Sequence, residues 1–225
     1  IPAWALRRPR SGYPTRHEWS GSASAALRVA SVTTLPLFPL PAVLFPGGEI
    51  ALRIFEPRYL DMICDCARDG RGFGICLMLE SDDGGAPASP AAIGTLARIV
   101  DFNVLEDGLL GILARGEARF RASATHVRSD GLIHADVDML EPDPVLPVPP
   151  EFGLLATILS RYHERAGATF AQHEQSRYDE SAWVGFRLAE AFPLSVSERQ
   201  LLLQTADPLD RLSHLMQWLP RFQDA

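Results

Sequence analysis

The sequence predicts an α+β chain in which a mainly β domain over residues 32–140 precedes a small helical bundle over residues 151–225. Three observations carry that expectation. From Thr33 to Leu140 short apolar runs alternate with turn signals, the pattern of short strands. Residues 141–150, EPDPVLPVPP, hold five prolines, so they neither continue a central strand nor form a helix interior and read as a stiff linker. Beyond them the apolar period lengthens to that of helices.

The elements follow in order. Residues 1–31 carry five arginines and one acid, a charge of +4 within a total of -7, which leaves -11 for the other 194 residues. With no periodic apolar face, this basic start reads as a disordered extension; its Arg- and Ser-rich, acid-poor composition also resembles a transit peptide. Leu35–Leu37 and Glu49–Ile54 read as strands around the proline-punctuated FPLPAVLFPGG. Pro57 suits a first helical position, Tyr59, Leu60, Ile63 and Ala67 form the apolar face of that helix, and Gly70 stops it. FGICLMLE is a buried strand, and SDDGGAPASPAA is a loop.

Two Asp-Gly pairs predict tight hairpins. A two-residue loop at Asp107-Gly108 sets Arg98 opposite Glu117 and Phe102 opposite Leu113. One at Asp130-Gly131 sets Val127 opposite His134 and His126 opposite Ala135, which puts the two histidines on opposite faces and denies them a shared metal. In the tail, residues 151–165, 179–192, 195–206 and 208–219 read as helices. Ser195 with Glu198 makes a capping box, and Asp207-Pro208 supplies a cap and a first-turn proline. Leu201, Leu202 and Thr205, then Leu209, Leu212, Leu215 and Met216, form packing stripes.

Composition excludes several chemistries. All 21 basic residues are arginine, so these 225 residues hold no Walker A loop, no Schiff-base amine and no Ser-Lys dyad. No run of about 18 apolar residues spans a membrane, which together with the cysteine usage points to the cytoplasm. The three cysteines, Cys64, Cys66 and Cys76, have no paired spacing. On a helix Cys64 and Cys66 lie roughly 200° apart, so they read as buried small hydrophobes and not as metal ligands.

No motif defines a catalytic site. Gly70 to Gly74 lacks the GxGxxG spacing and leads into a strand, where phosphate needs a helix N-terminus. RGFGICLM is nearer the RNP1 pattern of RNA-recognition modules, with Ile75 and Met78 in aromatic positions. There is no GxSxG or HExxH; His163 and His173 fall near helix ends, where a solvated or dipole-pairing role is expected. Asp82-Asp83, Asp136 with Asp138, and Asp179-Glu180 read as solvated carboxylates. Arg115, Arg119, Arg121 and Arg128 form a ladder along two strands, which either holds an anion such as an acidic peptide or phosphate, or keeps a sheet face soluble.

The most specific segment is residues 35–60, LPLFPLPAVLFPGGEIALRIFEPRYL. Its LPLFPLP, VLFPG and LRIFEPRY stretches, with FGICLML after them, resemble the opening of the Lon substrate-binding domain, the N-terminal domain of Lon proteases, and most closely stand-alone bacterial proteins made of that domain. The resemblance is strong over residues 33–140 and extends to the helical tail in arrangement. It implies a compact PUA-like β-barrel followed by a helical subdomain, without the ATPase and protease modules, needing no cofactor. The implied function is a non-catalytic protein- or peptide-binding module for unfolded or exposed protein segments, an accessory to proteolysis.

The LRIFEPRY junction has its own reading. Arg53 and Phe55 share a strand face, Glu56 lies where it can accept helix N-terminal amides, and Arg58 and Tyr59 fall in the first turn. Either these residues cap a helix and fill the core, or they form a groove lip with aromatics for an apolar side chain and arginine for a carboxylate. Two other functions stay open: RNA binding by analogy of fold, against which the acidity argues, and a small-molecule enzyme.

Overall fold

The computed structural model describes residues 33–79, 89–166 and 175–222. The basic extension, most of the 81–92 loop and His173 lie outside the described residues. The described residues belong to one compact unit.

Seven strands make one sheet: β1 (Thr33–Leu40), β2 (Glu49–Ile54), β3 (Phe73–Leu79), β4 (Ser89–Pro90), β5 (Ile93–Val104), β6 (Leu110–Val127) and β7 (Ile133–Met139). Pairing runs β1-β7-β6-β5-β3 and returns to β1, and all of it is antiparallel except β1 with β3. β2 lies along the first part of β6.

Helix α1 (Pro57–Asp69) opens on proline and ends at Gly70, whose φ of 62° is the left-handed conformation glycine adopts freely. It buries Tyr59, Met62, Ile63 and Cys66, the i, i+3, i+4, i+7 series. The buried face is therefore rotated from the expected one: Leu60 and Ala67 are exposed, and Met62 and Cys66 replace them. Cys64 is exposed as well, so only Cys66 and Cys76 fit the buried reading.

Both hairpins depart from the expected register, beginning at the loop. A two-residue type I′ loop needs positive φ at the aspartate and the glycine, and among the described residues only glycines have positive φ. The loops instead contain three residues. Leu105 N–H bonds Leu109 O at 2.9 Å around Gly108 (φ 82°), and Arg128 N–H bonds Leu132 O at 2.9 Å around Gly131 (φ 83°). Asp107 and Asp130 each accept the N–H two residues on, at 3.2 and 3.0 Å. Phe102 thus faces Ile112, and a further register shift between Ile99 and Asp101 sets Arg98 opposite Arg115, although Arg98 still reaches Glu117 diagonally at 2.7 Å. In the second hairpin His126 faces His134 directly. Their rings lie 5.5 Å apart on the same side of the sheet, contrary to the expected opposition.

The tail contains α2 (Gly153–Ala166), α3 (Ser181–Ala191), α4 (Val196–Gln204) and α5 (Pro208–Trp218). The Ser195–Glu198 capping box forms, and Asp207 caps α5 by accepting from Leu209 N–H at 2.8 Å. Leu155, Leu188, Leu202 and Leu212 pack in one apolar cluster with Phe45 and Ile93, which come from the β part. His163 lies in the last turn of α2, as expected, but is buried with Nδ1 2.8 Å from the Tyr178 hydroxyl, so the solvated alternative does not hold.

The proline-rich segment is pinned to the start of α3. Val148 N–H bonds Asp179 O at 2.8 Å and Ser181 Oγ bonds Pro147 O at 2.7 Å. The FPGG turn makes a second join. Pro46 and Gly47 (φ 75°) take the central positions of a type II turn closed by Gly48 N–H to Phe45 O at 3.0 Å. Gly47 N–H bonds Gly116 O on β6 at 2.8 Å, and Arg187 on α3 holds Pro46 O at 2.8 Å.

Candidate functional site

The LRIFEPRY residues do not form a single lip. Phe55 follows β2 and is 71% exposed, while Arg53, also exposed, pairs with Asp107. Glu56 has extended backbone at the N-cap of α1, and its carboxylate accepts none of the helix amides. It pairs instead with Arg58 at 2.7 Å. Arg58 also donates to Gly131 O at 2.8 Å and lies 4.7 Å above the Tyr59 ring. Tyr59 packs on Phe38 with centroids 4.1 Å apart, and burial pushes its hydroxyl pKa up. Arg58 and Tyr59 therefore tie the start of α1 to the β6–β7 loop and the core, and only Arg53 and Phe55 face outward.

The arginine ladder is likewise divided. Arg115 pairs with Glu49 across β2 and β6, and Arg128 with Asp130 at 3.1 Å. Arg121 is exposed opposite Asp138. Arg119 is buried and turned toward the tail, donating to Leu203 O and Thr205 O at 2.9 Å and to Asp143.

Two clefts present chemistry. The first, about 350 Å³, runs between α1 and the β6–β7 hairpin and is polar, with Arg58, Asp61, Cys64, Arg128, Asp130 and His134 on its walls. Burial, and secondarily Arg128 and His126, push the His134 pKa down and favour its neutral form. Among the described residues no group of three or more His, Cys, Asp or Glu has the geometry to hold a metal.

The second cleft, about 290 Å³, lies at the seam between sheet and tail and is mostly apolar. Pro46, Leu140, Pro142, Trp183 and Phe186 supply its walls, with Glu117, Glu141, Arg177 and Glu180 around them. Its floor is set by Arg119 and Asp143, which are 6% and 7% exposed. Asp143 also accepts from Arg211 at 2.8 Å, and Arg211 donates to Leu202 O and Thr205 O at 3.1 and 2.8 Å. The Arg211 guanidinium stacks 3.8 Å above Phe186, and its burial pushes its pKa down while Asp143 pulls it back up.

Sequence reasoning misses this seam because Arg119, Asp143 and Arg211 stand on three different stretches of chain, separated by 24 and 68 positions. One signal is present. Pro208, Arg211, Leu212 and Leu215 are the buried i, i+3, i+4, i+7 series of α5, so an arginine occupies a core position and requires a buried acid.

Comparison with known proteins places this architecture. The fold aligns with the crystal structure of a Lon N-terminal domain protein from Xanthomonas campestris at a TM-score of 0.70 and 47% identity, covering 83% of this chain and 99% of that one. Cereblon from Danio rerio is 30% identical over 146 residues, 60% of this chain and 33% of its own length. Lon protease 2 from Myxococcus xanthus is 33% identical over 110 residues, 48% of this chain and 13% of its own. The chain thus spans a third or less of these two curated relatives. The family model for the ATP-dependent protease La (LON) substrate-binding domain matches residues 34–221, from the first residues of β1 to the end of the helical tail, and the chain belongs to that family.

Proposed function

We propose that this chain is a non-catalytic module that binds unfolded or exposed protein segments and serves proteolysis as an accessory in the cytoplasm, without metal or cofactor. The observation that carries the reading is the apolar seam cleft, walled by Trp183 and Phe186 in a chain of the LON substrate-binding family. A concave apolar surface with a few polar groups at its edge suits the side chains that an unfolded segment exposes. The clamp of Arg119, Asp143 and Arg211 fixes the floor beneath it. That rigidity lowers the entropy cost of binding. We read the closed circuit of strand pairings as the compact PUA-like barrel, with the tail as a helical bundle against it.

The binding site in this reading is the seam, and Arg53 and Phe55 extend the contact surface elsewhere on the sheet. Protein is favoured over RNA because Arg115, Arg119 and Arg128 are engaged by carboxylates and residues 32–225 carry -11. The similarity to Lon protease 2 supports a role in handling protein substrates. The test is fluorescence anisotropy with a permanently unfolded, labelled model protein. Binding at tens of micromolar that weakens on Trp183→Ala is expected; absence of binding at that concentration overturns the reading.

A further inference from the structure

Of the side chains lining the cleft, Glu117, Glu141, Asp143 and Glu180 are acidic, and all but Glu141 form an ion pair with an arginine among the described residues. The cleft's two arginines are already engaged. Arg119 is held by Asp143 and two carbonyls beneath the floor, and Arg177 pairs with Glu180 at 3.0 Å beside the start of α3. Glu117 shares its charge with Arg98, while Glu141 stands exposed where β7 passes into the proline-rich segment. The surrounding residues 32–225, at -11, add a field of the same sign.

We propose that the segments taken by this cleft are those in which an apolar side chain is flanked by arginine or lysine. The proposal rests on the segment-binding reading above and adds the chemistry of the segment. The apolar side chain enters between Trp183 and Phe186, and a neighbouring cation meets Glu141 at the edge. An acidic flank meets the same carboxylate and is repelled. Because these contacts are solvent-exposed, selection is modest and depends on salt.

The test uses the full chain and three labelled peptides that share a Leu-Phe-Leu core, flanked by arginine, by glycine and serine, or by glutamate. At low ionic strength the arginine-flanked peptide is expected to bind about five-fold more tightly than the glutamate-flanked one, and the gap is expected to close at high salt. Glu141→Arg, which reverses the charge at the exposed edge of the cleft, is expected to abolish the preference or turn it toward the glutamate-flanked peptide. Trp183 also packs on Tyr178, so Ala182→Trp serves beside Trp183→Ala as a second variant, filling the cleft from a half-buried position. Both are expected to weaken all three peptides. Equal affinities for the two charged peptides, with both lowered by the cleft variants, overturn the charge selection and leave segment binding standing. If no peptide binds, or if neither cleft variant changes binding, the segment-binding reading at the seam fails and the selection falls with it.

Discussion

Arg211 on α5 is fully buried and donates at 2.8 Å to Asp143, a residue of the proline-rich segment that also accepts from Arg119 on β6. One carboxylate therefore joins sheet, linker and helical tail. Its removal leaves two buried guanidiniums with carbonyl partners and no counter-charge. Asp143→Asn is expected to lower stability by about 3 kcal/mol, in the range for breaking a buried ion pair. Urea unfolding of the variant checks this, and a midpoint within error of the parent would show that the pair carries little.

Gly116 is where the FPGG turn crosses β6. A Cβ there would lie 2.4 Å from Phe45 O and 3.0 Å from Thr95 Cγ2, and the backbone oxygen cannot swing aside. Gly116→Ala is expected to cost about 2 kcal/mol or more through overpacking. At Gly108 an added Cβ would meet nothing within 4 Å, so Gly108→Ala is destabilised only by its φ of 82°, about 1 kcal/mol. Thermal melts of the two variants should rank them in that order.

Glu190 on α3 has its pKa pushed up to about 7 by burial, with Arg187 and Arg199 pulling it back down. The folded chain holds this proton above the ordinary value of about 4.5, so between those two values the native state binds more protons than the unfolded one. Stability from this group is full below the lower value and is lost as the pH rises through about 7. Glu190→Gln is expected to flatten the decline seen between acid and mildly alkaline buffers. Urea midpoints measured across that window for both chains decide it.

The three thiols should separate by reactivity. Cys64 is exposed, whereas burial pushes Cys66 up and Cys76 up to about 12. A thiol-specific reagent at neutral pH is expected to label one site rapidly in the native chain and all three in denaturant. Rapid native labelling at Cys76 would contradict its burial.

Much of the fold is legible in the sequence because its determinants are local. Pro57 and Gly70 bound α1, Ser195 and Glu198 cap α4, and the change of apolar period marks the passage from strands to helices. The hairpin registers are legible in position but not in detail. An Asp-Gly pair suits both a two-residue loop and a three-residue loop with a glycine bulge, and the choice rests on how the flanking strands pair with β2, β3 and β7. That one-residue difference brings His126 and His134 together where the sequence pattern sets them apart.

The sequence by itself determined the α+β order, the helix limits, the absence of lysine chemistry within these residues and the resemblance carried by residues 35–60. Tertiary structure decided which of those residues act as architecture. The FPGG turn serves as a joint between sheet and tail, and Arg119, expected on a charged sheet face, became part of the floor of a cleft. The physical reason is that buried charge and cleft shape depend on partners distant along the chain. Asp143, Arg119 and Arg211 meet only after sheet and helices close on a shared core, and no local pattern records that meeting.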